Sequence, residues 1–422
     1  MRWKDKPHGV LIALLMIHVV AHIDRNMLLG FSPQITHDLG LSNAQYGLLT
    51  GAVWVLSYGF MALFMGSLAD RFSRTRVMAA GILIWSVCTA ASGAAQSFEQ
   101  MVAARFLVAS GEAALVPAAV SLVIELFQAR RPASAVGVFF MGIPLGIGLS
   151  FLLAGTVGAT QGWRGTFYLL GVVGVAIGVP LLFLKDRRDA QGETERGAPF
   201  LRQVKIMIET LRETPTVMYT IAGFVLVHMV FAGLSFAQLW LVRERGFDAA
   251  AIARQMGGLQ IVFGMLGAVV GGVLSDRVAR RMKGGHAGFV VLLIALCGPL
   301  MLAYRFAPAG SALFYLGMCA GFFLPLATYG PSLALIQGLT PDKIRSTVTG
   351  FTMLLLNIFA IALGNLAVGA VSDHLSAAGS IHALTAVLLV TDVLAISAAA
   401  FFVLAARGTK LQAAPAGMIP AH

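Results

Sequence analysis

Twelve apolar runs, each followed by a short polar or glycine-rich break, dominate the chain and limit what it can become. They fall near residues 9–31, 45–69, 77–95, 100–127, 133–158, 165–184, 216–242, 251–275, 287–304, 311–337, 344–370 and 382–405. A helix needs about 20 apolar residues to cross the hydrocarbon layer of a bilayer. Helices are required there because lipid cannot satisfy a free backbone N–H or C=O. Strands of an outer-membrane barrel would alternate apolar and polar residues in segments of about ten, and these runs do not alternate. Charged residues make up 12% of the chain, against about 25% in soluble domains. That is too little charge to cover two or three soluble domains, which excludes a soluble enzyme, a disordered chain and a disulfide scaffold. Cys88, Cys297 and Cys319 all lie inside apolar runs and read as small core residues. The first run resembles a signal peptide, but it is too long. His18, His22, Asp24 and Arg25 occupy it with no small-x-small cleavage site after them, so it is expected to stay as a span.

Basic residues orient the spans. If the N-terminus is cytoplasmic, 23 of the 30 Lys and Arg residues fall in inside segments and 5 in outside ones; Arg25 and Arg105 are within spans. Both termini are therefore expected inside, in the cell (inner) membrane, with the net charge of +11 facing anionic lipids of the cytoplasmic leaflet. No basic soluble domain exists to bind nucleic acid. Arg243, Arg245 and Arg254 break the pattern on the outer side. Residues 185–215 form the longest polar stretch. Leu201, Val204, Ile208 and Leu211 recur there at helical spacing, which fits either a short helix on the membrane surface or a solvated linker.

The two halves echo each other. The segment 66–78, GSLADRFSRTRVM, follows the second span, and 271–282, GGVLSDRVARRM, follows the eighth. A second echo pairs Arg131 and Gly137 with Arg345 and Gly350. The expected architecture is an all-α membrane protein of twelve transmembrane helices in two pseudo-symmetric six-helix bundles. Residues 1–184 would be the N-terminal bundle, 185–215 a cytoplasmic linker and 216–422 the C-terminal bundle with a short tail. Transporters use parallel repeats of this kind with a site near the midplane.

The run Gly66-Ser-Leu-Ala-Asp70-Arg71-Phe-Ser-Arg74-Thr-Arg76 resembles the loop 2–3 signature of the major facilitator superfamily, Gly-x-Leu-Ala-Asp-Arg-x-Gly-Arg-Arg/Lys, with Ser73 in place of a glycine. Ile23-Asp24-Arg25, Asp38-Leu-Gly-Leu41-Ser, Gly47-Leu-Leu, Gly111-Glu112-Ala113 and Pro117 resemble the Spinster-type branch of that superfamily, whose members include lysolipid and sphingolipid transporters; an organic-anion symporter branch shares much of the pattern. The resemblance implies the major facilitator fold and alternating access. Gly66, Asp70, Arg71 and Arg74, with Gly272, Asp276 and Arg277 in the second copy, are then expected to gate the cytoplasmic end. Gly66 and Gly272 would let helices approach closely, and Asp70 would sit near a helix N-terminus, where the dipole favours it. Positive-inside topology alone is the plainer reading of these charges.

A charge in mid-span costs several kcal/mol, with estimates from about 2.5 upward. Four stand out: Asp24 and Arg25 in the first span, Arg105 and Glu112 in the fourth. Their charges sum to zero. Arg105 and Glu112 share a helix face but lie about 10 Å apart along it, so each is expected to meet a partner on the first span. The Spinster resemblance implies that the carboxylates Glu112 and Asp24 handle a coupling proton and that Arg25 and Arg105 bind an anionic substrate group. An apolar setting favours a neutral carboxyl and a neighbouring guanidinium an ionised one, so an alternately opening cavity could load and release a proton. A static ion-pair network is the alternative.

The second half offers no mid-span charge in the spans expected to line the cavity. It has His228, Gln238, Gln260, Thr328, Tyr329 and Asn357 among Phe, Met and Leu. Tyr58, His228, Gln260 and Asn357 complete the candidate substrate site, with a charged wall from the first half and a mostly apolar one from the second. Such a site suits an amphipathic anion or lysolipid; a sugar acid would want hydrogen bonds from both walls. His18 and His22, four apart, lack a carboxylate or cysteine to complete a zinc set, and no metal or cofactor is expected. Glu125 is expected to pair with Arg130 or Arg131, and Asp392 has no assigned role. Pro117, Pro144 and Pro325 are expected to bend their helices. No nucleotide loop is present, so the expected activity is ion-driven secondary transport by a monomer, with protons as the driving ion. A membrane-embedded lipid-modifying enzyme would need a nucleophile–base set or metal cluster in the spans, and neither is visible.

Overall fold

The structure is a computed structural model. It describes the backbone of residues 7–71, 73–127, 132–182, 200–282, 284–341 and 344–413, with side chains at the same positions except 63, 66, 67, 69–71, 132–134, 200–206, 346 and 409–413. The chain is helical, with no strand among the described residues. In order, the helices are α1 (Pro7–Gly30), α2 (Ser32–Asp38), α3 (Asn43–Thr50), α4 (Ala52–Arg71), α5 (Arg74–Ala94), α6 (Phe98–Glu112), α7 (Leu115–Phe127), α8 (Pro132–Phe140), α9 (Gly142–Gly155) and α10 (Val157–Leu182). There follow α11 (Phe200–Glu213), α12 (Pro215–Val227), α13 (Val230–Arg243), α14 (Ala249–Val269), α15 (Ser275–Ala279), α16 (Gly285–Phe306), α17 (Ala312–Leu339), α18 (Arg345–Leu356), α19 (Gly364–Ala377) and α20 (Ala383–Ala413). Two π-helical turns, Val270–Leu274 and Asn357–Leu363, interrupt the eighth and eleventh spans.

Among the described residues, 11 helical stretches are long and apolar enough to cross a membrane by length and composition. They correspond to eleven of the expected runs; the second run is covered by α3 and α4, which meet at Gly51. Several spans are broken, and the breaks have sequence causes. Pro117 has no N–H to offer the carbonyl of Ala113, and the fourth span breaks there, between α6 and α7. Pro144 does the same to Phe140 at the α8–α9 junction. The seventh span breaks at His228 and Met229 without a proline.

The chain gathers into two compact units. One holds Met1–Thr194, Ser235–Val262 and Ala362–Leu384; the other holds Glu195–Leu234, Phe263–Ile361 and Thr385–His422. The first unit is sewn together by glycine. A Cβ built on Gly148 would lie 2.8 Å from the carbonyl oxygen of Gly257, and one on Gly257 would lie 2.6 Å from that of Gly148. Gly47 lies against the carbonyl of Asn365, and Gly369 against that of Asn43, in the same backbone-to-backbone manner. A larger residue at any of these sites would force helices apart. In the second unit, Val227, Leu293, Leu324 and Phe402 share one buried apolar cluster. Met207 of α11 is buried with Val217, Ile221, Ile336 and Val348, so the helical alternative for this stretch holds. Leu201 and Val204 lie outside the described side chains.

Asp70 lies in the last turn of α4, four positions before α5 begins at Arg74, and its side chain lies outside the described residues. Three sequence expectations change. Gly272 faces open space, whereas its neighbour Gly271 abuts the backbone of Ala327, so the close approach belongs one residue earlier. Glu125 pairs with Arg74 at 2.7 Å; Arg130 and Arg131 lie outside the described residues. Arg305, counted as a loop residue, is in the last turn of α16, where it is 4% exposed and meets Asp392.

Candidate functional site

The site is built on α1, α4, α5 and α6 within the first unit. Asp24 and Arg25 are adjacent on α1, so their side chains leave the helix in different directions. Arg105 and Glu112 lie two turns apart on α6, and each reaches a different member of the α1 pair. Gly81 of α5 and Gly111 of α6 allow the helices to touch: a Cβ on either would lie 2.6 Å from the other's carbonyl oxygen.

The two ion pairs are unlike. Arg105 donates through Nη1 to Asp24 Oδ1 at 3.1 Å, and through Nη2 to the backbone carbonyls of Asp24 and Arg25 at 3.3 and 3.5 Å. The Thr89 hydroxyl donates to the second oxygen of Asp24. Both side chains are 3% exposed. Arg105 and Asp24 are therefore occupied with each other, and Arg105 presents no face to an incoming anion here.

Arg25 and Glu112 make the second pair. Arg25 donates through Nε and Nη2 to a single oxygen, Oε2, at 3.2 Å each. The indole N–H of Trp54 donates to the same oxygen at 2.9 Å. Glu112 Oε1 is buried and accepts no hydrogen bond from any described residue. Arg25 keeps 30% of its side chain exposed, against 2% for Glu112. Its guanidinium lies 3.6 Å above the Trp54 ring, and Trp54 stacks on Tyr58 with centroids 4.5 Å apart and planes at 22°. Such cation–π stacking orients a guanidinium while leaving N–H groups at its edge.

Sequence reasoning missed Trp54 and Thr89. Both sit one helical turn from a named or obvious partner: Trp54 is four before Tyr58, and Thr89 is four after Trp85, within α4 and α5. A tryptophan among apolar residues in a span reads as lipid-facing, so its N–H gave no signal.

The remaining candidates are placed as follows. His18 Nδ1 lies 3.0 Å from the Phe139 carbonyl oxygen, and His22 Nε2 lies 3.2 Å from His18 Nε2, so the pair is packed into the seam between α1, α8 and α9. Among the described residues no group of three or more His, Cys, Asp or Glu is positioned for a metal. Gln260 is buried in the first unit. In the second unit, His228 is fully buried, donates through Nδ1 to the Phe224 carbonyl at 2.6 Å, and touches Phe231 and Tyr329. Asn357 is half-buried at the start of its π-helical turn. Of the gate residues, Arg74 is buried on Glu125, Asp276 is 67% exposed and 3.8 Å from His286, and Arg277 is exposed. The side chains of Gly66, Asp70 and Arg71 lie outside the described residues.

The family model described as Major Facilitator Superfamily matches residues 14–365. The chain belongs to that superfamily. It is a multi-pass membrane transporter, not an enzyme. Among the relatives of this facilitator protein, an "MFS-type efflux pump" of Mycolicibacterium smegmatis is 27% identical over 364 residues, covering 86% of this chain and 84% of the relative. Protein spinster of Drosophila melanogaster is 27% identical over 376 residues, with 85% of this chain but 61% of the relative covered. A hexuronate transporter of Bacillus subtilis is 27% identical over 370 residues, covering 85% and 86%. The fold matches a crystal structure described as a bacterial homolog of the human lysosomal transporter Spinster, inward-facing and unoccupied, with TM-score 0.83, 23% identity and 98% and 99% of the two chains covered.

Proposed function

We propose that the protein is a proton-coupled secondary transporter that moves an amphipathic organic anion, of lysolipid type, by alternating access, with Glu112 as the proton site and Arg25 as the anion site. The observation that carries this reading is the asymmetry of the Glu112 carboxylate. Three donors converge on Oε2, while Oε1 is buried with no described partner. A buried acceptor left unmatched is costly, and a proton on Oε1 turns it into a donor. Protonation also releases the half-exposed Arg25 guanidinium to an anion, which Trp54 and Tyr58 flank with aromatic surface. Asp24 and Arg105 hold this arrangement in place and take no proton or substrate themselves.

An anionic cargo is in keeping with relatives named for hexuronate and sulfoacetate. Its apolar part is supported by the stacked rings of Trp54 and Tyr58 beside the Arg25 guanidinium. A sugar-acid symporter is the second reading, favoured by the hexuronate relative. We further infer that the protein works as a monomer, that 1–184 and 216–422 are its two moving halves, that both termini face the cytoplasm, and that anionic lipids border the basic segments there.

The test is uptake into proteoliposomes under an imposed pH gradient, with lysophosphatidylglycerol, an anionic lysolipid, and glucuronate as alternative probes. Gradient-driven accumulation of the lysolipid by the unmodified protein, lost in Glu112→Gln, is the expected result. Accumulation by Glu112→Gln equal to the parent removes Glu112 from the proton path. Accumulation of glucuronate alone favours the sugar-acid reading.

A further inference from the structure

Within the first unit, one end of the bundle is closed by contacts that no sequence motif announced. Helix α3 opens the second span at the face where the charge distribution places the outside. Its first donors need partners, since the N–H groups of an initial turn have none within the helix. The chain solves half of this locally. Ser42 Oγ accepts from the Gln45 N–H, and Gln45 Oε1 accepts from the Ser42 N–H, a capping box. The N–H groups of Asn43 and Ala44 remain. A residue 330 positions away supplies them: Asp373 on α19 accepts from Asn43 N at 3.0 Å and from Ala44 N at 2.8 Å, one oxygen each.

The Asn43 side chain extends the contact in two directions. Its Nδ2 donates to Ser372 Oγ at 3.1 Å, and its Oδ1 accepts from Arg243 Nη1 at 2.9 Å. Arg243 closes α13 and also donates to Thr36 Oγ1 at 2.9 Å. Lower on the same seam, Asn365 donates to Thr50 Oγ1 at 3.1 Å, beside the Gly47 and Gly369 crossings. Asn43 thus engages through its N–H, carbonyl amide oxygen and amide nitrogen at once, binding the ends of three spans to one residue.

We infer that Asn43, Arg243, Ser372 and Asp373 form a latch that sets how often this end of the transporter opens. The polar part is suited to release. Asn43 and Ala44 begin α3, Arg243 ends α13, and Ser372 and Asp373 lie about a turn before the end of α19, so water can take over the freed N–H groups and carboxylate as this end parts. The glycine crossings below it involve no directional bond of their own; parting them frees the Asn365 amide that donates to Thr50 beside them. The carboxylate cap is the strongest element, being charge-assisted, doubled, and aligned with the α3 dipole. The chain also passes from the second unit into the first inside the π-helical turn Asn357–Leu363, directly before α19. Such turns are weak points at which a helix can pivot. The inference rests on the transport reading for its purpose, but not on Glu112 or on the nature of the cargo.

Spin labels at His37→Cys and His374→Cys report the latch. His37 has an 88% exposed side chain and His374 is exposed, so neither belongs to the contact. The full chain is used in lipid nanodiscs with Cys88, Cys297 and Cys319 replaced by alanine, without substrate or pH gradient. Distances are measured by electron double resonance. In the parent latch, a short distance should dominate. Asp373→Asn, which keeps size but cannot hold two N–H groups as a carboxylate does, should raise the long-distance population about tenfold relative to the short one. Arg243→Gln should raise it by a smaller factor. Unchanged distributions in both variants would overturn the latch. Because the sample contains neither cargo nor gradient, that result would leave the Glu112 reading standing, and loss of Glu112-dependent uptake would likewise leave the latch standing.

Discussion

Asp24–Arg105 and Arg25–Glu112 use the same two chemistries on the same two helices, from adjacent positions on α1 and positions two turns apart on α6, yet they are finished to different degrees. In the first pair, both carboxylate oxygens are engaged, the guanidinium reaches two further carbonyls, and neither side chain exceeds 3% exposure. In the second, one oxygen takes three donors, the other takes none from the described residues, and the arginine is 30% exposed. A closed network resists any change of charge, since removing either member strands the other in a low-dielectric interior. A network with a vacant acceptor beside an accessible cation can change its protonation with little rearrangement. The contrast teaches that burial of charge in a span does not by itself mark the working residue; the degree to which the charge is satisfied does.

The largest expected effect breaks the closed pair. Arg105→Ala leaves Asp24 buried without its cation and should cost about 3–5 kcal/mol. Thermal unfolding of the purified protein would show it, together with reduced yield. If Arg105→Ala is as stable as the parent but fails to transport, the closed pair is functional and the contrast collapses. The next effect separates the two pairs. Glu112→Gln keeps the shape and an acceptor for Trp54, so its stability loss should stay within about 1–3 kcal/mol, the range for hydrogen bonds involving charged groups. Gradient-driven uptake should nevertheless disappear. Trp54→Phe is a finer instrument. It keeps the ring under Arg25 and removes only the N–H to Oε2, so uptake should persist while its pH profile moves. An unchanged profile would mean that the indole N–H does not shape the protonation of Glu112.

Arg305 and Asp392 sharpen the comparison from the second unit. Arg305 donates through Nε and Nη2 to the two oxygens of Asp392 at 2.8 and 3.2 Å, on spans nine and twelve. The pair resembles Asp24–Arg105 in its burial, and we read it as a fastening between those helices. The joint replacement Arg305→Met with Asp392→Leu should then leave stability unchanged or raise it by about 1–4 kcal/mol, since apolar residues of similar volume avoid the desolvation of two ions. Uptake should be retained. Loss of uptake in a stable double variant would give this pair a role in transport.

Much of this arrangement was legible from residue types. Spans are long, and lipid penalises charge so strongly that Asp24, Arg25, Arg105 and Glu112 stand out without any structure. Which carboxylate meets which arginine was not legible, because seven residues on a helix fix a face but not the partner opposite. Arg305 escaped notice for a different reason. It lies at the end of an apolar run, where a basic residue is expected to reach the interface, and only the fold turns it inward onto Asp392. Trp54 was hidden because its ring satisfies the apolar pattern and its one polar atom leaves no trace in hydropathy. Gly271 and Gly272 show the limit of repeat matching: the echo was real in composition, but a one-residue choice of register decides which glycine faces Ala327. The latch was invisible because 330 residues separate Asp373 from Asn43, and nothing local links a carboxylate to a distant helix N-terminus.

A third carboxylate marks the solvated limit of the same comparison and carries the smallest expected effect. Asp38 ends α2, outside the spans, and accepts from the Trp163 indole N–H at 2.7 Å. That hydrogen bond, more than its His37 and Arg164 neighbours, holds its carboxyl below the usual carboxylate range. A carboxyl whose value is lowered by folding stabilises the fold where it is ionised in both states, above about pH 4. The contribution fades as pH falls below the unfolded value and is gone once the folded carboxyl is protonated too. Because Asp38 remains 44% exposed, solvent screens most of the interaction, and the effect on unfolding should be small. Trp163→Phe should flatten the stability profile between pH 5 and 3 relative to the parent, and leave it parallel above pH 5. A steeper acid loss in Trp163→Phe would reverse the sign assigned to the indole, and would place the acid sensitivity of this end of the protein in some other carboxylate.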